Sequence, residues 1–379
     1  MRIPGKMFRA LALLFLFSGN LLFAQNLRPW WLAMEQGKLY FRSGAYGNAL
    51  LAFEDARRTR LNQFSQMESD LILTLSAPEF RRMGDSLSMV ENYCTEWRQD
   101  GAARALRELY YHYPKTQLND SVNRALEELD RLKSYPEAEF WIGETYRAEG
   151  ELGLALKQYQ KAYGERSLLE IPGFEVEILY KITDLHRIRQ EYQEMENRAL
   201  EILKGPPEAP RDFLWAGENE GFTRAAMMRI LENEGIGRFL TLYRYNNPPV
   251  EKAHRLLGFF YYASSRHTQA AEHLMFSFLI QNTLLIEEVL HRQFDYSFSS
   301  LDALMESISR RQDLREYLEE VEYFRTLYYL GAALYATGKQ VPARQIWTFL
   351  SGQEGAAQWR SRARSQLQSP YIEKAIEAP

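Results

Sequence analysis

The chain's 379 residues, 46% hydrophobic and 25% charged, suffice for a sizeable core and exclude a disordered or low-complexity polypeptide. A formal net charge of −4 argues against nucleic acid as a partner, because phosphate recognition wants a basic footprint. The single cysteine, Cys94, rules out an internal disulfide and reads as a small buried apolar residue on a helix near Tyr93 and Trp97.

In chain order, residues 1–24 come first. Arg2, Lys6 and Arg9 precede a mostly apolar run from Ala10 to Phe23, and Ala24 supplies a small residue before Gln25. That is the layout of a secretory signal peptide. Ser18, Gly19 and Asn20 interrupt the run, which falls short of the roughly 20 residues of a bilayer span. No cysteine is present there to accept a lipid. The expectation is export across an inner membrane to a periplasm or cell envelope, with no stable membrane span once the leader is cleaved. Cleavage removes three positive charges and takes the formal net charge from −4 to −7.

Beyond Gln25, apolar residues recur at intervals of three and four and alternating runs are nearly absent, so the chain reads as all-α. Gly37 is followed by Tyr40, Ala49, Phe53 and Ala56 at offsets of 3, 12, 16 and 19. Ala102, Leu106, Leu109 and Pro114 fit the second half of such a unit loosely. Gly143 then repeats the offsets with Tyr146, Ala155, Tyr159 and Ala162. Tyr192, Met195, Ala199, Ile202 and Pro207 fit another second half. Residues 205–210, GPPEAP, hold three prolines that no helix crosses, and form either a joint between two stacks or a long turn. Gly258 restarts the pattern with Tyr261, Ala270, Leu274 and Ser277. Residues 279–322 depart from it, with a polar-aromatic loop from Phe294 to Ser300 between helices. Gly331 closes the series with Leu334, Ala343, Trp347 and Leu350. The expected organisation is a leader (1–24), repeats over 25–204, the proline-rich stretch, repeats over 211–367, and a tail at 368–379.

The offsets have a packing rationale. Glycine lets the second helix approach the first, since a side chain there would hold the backbones apart. Positions 12, 16 and 19 share one helical face, where small residues admit the neighbour and a larger side chain fills the gap. One helix pair cannot bury such a face, so several must stack.

These residues resemble the tetratricopeptide repeat, a 34-residue helix-turn-helix with the signature W-x2-L-G-x2-Y, then A-x3-F, then a small residue and a proline. Leu257-Gly258 and Leu330-Gly331 reproduce its L-G step, Ile142-Gly143 nearly does, and the tryptophan is missing from all four units. Gly44, Gly150 and Gly338 each stand seven residues after the signature glycine, where the first helix would end. The resemblance implies a right-handed solenoid of about eight or nine helix pairs, in one block or two. It also implies a concave groove lined by the first helix of each unit. Carried over, that lining comprises Met34, Lys38, Phe41 and Arg42, then Phe140, Glu144 and Arg147. The later units add Lys252, Arg255, Phe259 and Tyr262, then Arg325, Tyr328 and Tyr335. Rings mixed with cations suit a peptide bearing apolar anchors and carboxylates. The carboxylate-clamp subtype is disfavoured, because its asparagine is replaced by Lys38, Glu144, Phe259 and Ala332.

Catalytic signatures are absent from the sequence: no P-loop, nucleophile elbow or paired zinc histidines. Gly235-Ile236-Gly237 lacks the third glycine and the strand of a dinucleotide loop, and His267 and His273 read as surface residues on different helix faces. No cofactor or metal is expected. The expected role is a non-enzymatic scaffold binding proteins or peptides. The alternatives are a ligand-binding accessory of a transport system, or an envelope-polymer hydrolase using Glu306-Ser307.

Overall fold

A computed structural model describes residues 29–75, 130–205 and 220–373. The leader, Cys94, the loose unit at 102–114, the prolines of 206–210 and the last six residues lie outside them. Among the described residues there are fourteen α-helices and no strand. In chain order these are α1 (Trp30–Arg42), α2 (Tyr46–Leu75), α3 (Pro136–Ala148), α4 (Leu152–Gly164), α5 (Phe174–Ile188), α6 (Tyr192–Lys204) and α7 (Glu220–Leu242). There follow α8 (Pro248–Ala263), α9 (His267–Arg292), α10 (Leu301–Ser309), α11 (Gln312–Glu320), α12 (Tyr323–Ala336), α13 (Gln340–Gly352) and α14 (Ala357–Gln368). None of them is long and apolar enough to cross a membrane. The chain forms two compact units that divide between Ile178 and Leu179, within α5.

In the N-terminal unit, α1 and α2 form one hairpin and α3 and α4 another, with α3 packed on α2. A Cβ on Gly37 would lie 2.6 Å from Phe53 Cδ1, and one on Gly143 2.7 Å from Tyr159 Cε1. Only hydrogen fits there. Ala49, Phe53 and Ala56 are fully buried, as are Ala155, Tyr159 and Ala162. Trp30, Tyr135, Ala138 and Ile142 complete the first core. Arg60 is buried outright there, its guanidinium 4.7 Å from the Trp30 ring and 4.6 Å from that of Tyr135. It donates to Leu132 O at 3.1 Å and Glu170 Oε1 at 2.9 Å, which holds a charge that burial alone would make costly.

In the C-terminal unit, α8 pairs with α9 and α12 with α13; α9 also packs on α12, α6 on α8, and α14 on α13. A Cβ on Gly258 would meet Leu274 Cδ2 at 2.6 Å, and one on Gly331 Trp347 Nε1 at 2.9 Å. Ala270, Leu274, Ala343, Trp347 and Leu350 have no solvent exposure. Helix α7 kinks at Gly235, whose φ is +83°. The Phe294–Ser300 loop separates α9 from α10, and Ser300 caps α10 by accepting from the Ala303 amide at 3.1 Å.

The turns within the hairpins are alike. The residue seven after the signature position has positive φ: Gly44 (76°), Gly150 (85°), Ser265 (59°) and Gly338 (82°). The next amide donates back to the carbonyl at offset 3: Ala45 to Tyr40 (2.9 Å), and Glu151 to Tyr146, Arg266 to Tyr261 and Lys339 to Leu334 (each 2.8 Å). This is the Schellman closure of a helix C-terminus. The α5–α6 hairpin has it too, with Gln190 at φ 61° and Glu191 N donating to His186 O at 2.8 Å. Its glycine position is held by Thr183, and Met195, Ala199 and Ile202 are buried at offsets 12, 16 and 19.

Candidate functional site

The repeated hairpin geometry brings four cations together in the C-terminal unit. A pocket of about 330 Å³ is lined by Asp184 and Arg187 of α5, Lys252, Arg255, Leu256 and Phe259 of α8, and Glu322 and Arg325 at the start of α12. Tyr180 helps fix α8 beside α5, donating to Pro249 O at 2.5 Å and accepting from Ala253 N at 3.1 Å. The cations sit at recurrent offsets. Lys252 and Arg325 stand six residues before their glycines, Arg255 three before, and Arg187 four after Thr183.

Charges in the pocket are paired. Lys252 Nζ lies 3.1 Å from Asp184 Oδ2 and Arg187 Nε 3.7 Å from Asp184 Oδ1. Arg255 bonds Glu251 at 3.2 Å and also Glu322, while Arg325 Nη1 reaches the other Glu322 oxygen at 2.5 Å. Burial works against ionisation of Glu322, but its hydrogen bonds and charge attraction with Arg325 and Arg255 outweigh this and hold its carboxyl below the ordinary range. The Arg325 guanidinium rests 4.4 Å from the Phe259 ring centre, a cation–π contact. Glu251 is buried and takes further hydrogen bonds from Ser277 Oγ (2.8 Å) and Gln281 Nε2 (2.6 Å), so it orients Arg255 from behind. Such a wall can receive a carboxylate or another small anion against an aromatic floor.

The sequence-expected groove residues divide sharply. Arg255, Phe259 and Arg325 converge on the pocket, as does Lys252. Tyr262 instead packs on Tyr329 at 5.2 Å, Tyr328 on Trp359 at 5.4 Å, and Tyr335 on Trp347 at 5.7 Å. These three tyrosines are packing residues, because large apolar surface gains more from a neighbouring helix than from water. Phe140, only 2% exposed, likewise packs on Phe174 at 4.7 Å. Lys38 pairs with Glu35 at 2.7 Å, Phe41 lies edge-on to Trp141 at 5.6 Å, and Arg147 pairs with Glu144 at 3.0 Å. Arg42 is exposed at the end of α1.

Sequence reasoning missed Asp184, Arg187 and Glu322. The first two occupy offsets 1 and 4 from Thr183, the same rule that selected Phe259 and Tyr262 from Gly258. Thr183 and Gln190 concealed that unit by standing where glycines mark the others. His273 is a correction of another kind. Expected at the surface, it is buried with its Nδ1 3.1 Å from that of His254, because α8 and α9 close on each other there.

No protein-family profile matches the chain. An uncharacterized protein of Treponema pallidum (strain Nichols) is 22% identical over 340 residues, covering 89% of each chain. An uncharacterized protein of Borreliella burgdorferi (strain ATCC 35210 / DSM 4680 / CIP 102532 / B31) is 20% identical over 237 residues, covering 59% of this chain and 73% of its own.

Proposed function

We propose that this chain is a tetratricopeptide-like helical-repeat protein, exported to a bacterial periplasm or cell envelope, that scaffolds partner proteins without catalysing a reaction. The observation that carries the reading is the convergence of Arg187, Lys252, Arg255 and Arg325 around Phe259. Four cations gathered around one ring, with Arg255 and Arg325 partly buried and organised by carboxylates, are costly to assemble, and binding is a use that offsets this cost. Support for repeat character comes from the glycine contacts and the common turn; support for export comes from the charge and apolar layout of residues 1–24.

A photocrosslinking amino acid at Lys252 tests this in cells, with the same group at Val341, exposed on α13, as control. A discrete protein adduct at position 252, absent at 341 and lost when Arg325→Glu is added, is the expected result. Equal adducts at both positions, with strong thermal stabilisation by a metabolite, would favour the transport-accessory alternative instead.

A further inference from the structure

We propose that the pocket takes the carboxylate of an acidic partner segment by displacing Glu322, which occupies the Arg255–Arg325 pair as an internal stand-in, and that an aromatic side chain of the segment enters the adjoining Phe324–Trp359 recess. This rests on the scaffold reading above and names the chemistry of what is bound.

Glu322 is placed as a removable occupant. It holds φ 48°, ψ 40° at the cap of α12 with no side-chain capping bond. A left-handed backbone strains a non-glycine residue, and such strain collects at ligand clamps. The carboxylate is also the more accessible member of its own ion pairs. Its side chain is 36% exposed, against 14% for Arg255 and 17% for Arg325. The cations are thus fixed and partly desolvated, whereas the acid can swing into water and leave them in place. Arg255 keeps its bond to Glu251, so the site does not collapse when Glu322 leaves. An incoming carboxylate then replaces one already there, and the cost of desolvating the two arginines is largely met in the free protein.

A second cavity of about 400 Å³ lies on the far side of Glu322 and Arg325, which line both. Its walls include Leu318, Phe324 and Trp359, and Ala357, the first residue of α14, lines it at φ 44°. A ligand whose acid sits on the arginines therefore has an aromatic recess next to it. Two-point recognition of this kind combines charge-assisted bonds with buried ring area.

The test measures fluorescence polarisation of two labelled peptides on the full mature chain: acetyl-GSEEWEEGS-amide and its counterpart with every Glu replaced by Gln. The acidic peptide should bind at least tenfold more tightly, and Arg325→Gln and Trp359→Ala should each weaken it about tenfold or more. Glu322→Gln should strengthen it about tenfold, since the internal competitor is weakened. Glu322→Gly, which accepts the left-handed backbone, keeps the test decisive should the Gln variant not fold. Equal affinity for both peptides, no binding of either at millimolar concentration, or weaker binding by both Glu322 variants would overturn the proposal. A protein adduct at position 252 together with any of those results leaves the scaffold reading standing and this inference refuted. Tighter acidic-peptide binding by Glu322→Gln with no protein adduct does the reverse.

Discussion

At the scale of single residues, the recurring glycines are explained by what their missing side chains would strike. Tyr159 lies fully buried against Gly143, with its hydroxyl bonded to Glu144, so its ring cannot yield to a new methyl group. Gly143→Ala should lower stability by about 1–3 kcal/mol despite the better helix propensity of alanine. Gly153, with open space where its Cβ would stand, is the control, and Gly153→Ala should be neutral or stabilising by up to about 1 kcal/mol. Urea unfolding midpoints at unchanged slope check both. Gln190→Gly should stabilise by about 1 kcal/mol, because the turn demands a positive φ that glutamine adopts under strain. A loss of stability in that variant would show the side chain to matter more than the backbone. Gly37, Gly143, Gly258 and Gly331 were legible in the sequence because each faces a side chain too close for a Cβ, at a fixed spacing from it. Gln190 was not, since a strained residue imposes no spacing pattern of its own.

At the scale of helices, the α8–α9 pair carries a cost visible only in three dimensions. His254 and His273 face each other in a closed seam, with Phe276 stacked on His254 and Arg224 as the nearby charge. Burial depresses both imidazoles, reinforced by Arg224 and, for His254, by its partner histidine; His273 is pushed down to about 3. Both are therefore neutral in the folded chain at neutral pH, whereas the unfolded chain takes up protons as pH falls through about 6.5. The sign follows: stability is fully present above about pH 6.5 and declines as pH falls from there toward 3. Each imidazole can contribute a slope of about 1.4 kcal/mol per pH unit. Unfolding free energies measured between pH 7 and 5 should show this decline, above the range where carboxylates titrate, and a His254→Gln/His273→Gln variant should flatten it. An equal slope in the variant would contradict the assignment. The sequence offered six histidines scattered along the chain, and scatter hid a pair that meets only when two helices close.

For the molecule as a whole, helical class and hairpin spacing could be read from periodicity, because burial on one helix face imposes a 3.6-residue pattern. The pocket could be read only in part. Arg255, Phe259 and Arg325 followed from offsets, but the rings of Tyr262, Tyr328 and Tyr335 could equally serve packing or binding, and nothing in sequence separates the two. Glu322 was beyond reach, since its position depends on a left-handed turn in the segment that departs from the repeat. Hydrogen exchange of the full chain, free and with any protein crosslinked at position 252 bound, tests the central claim most directly. Slowed exchange around 184–187, 252–259 and 322–325, with 355–359 the one other region slowed, is the predicted result. Protection confined to α1 and α2, or to the Phe294–Ser300 loop, with none at those three segments, would contradict it.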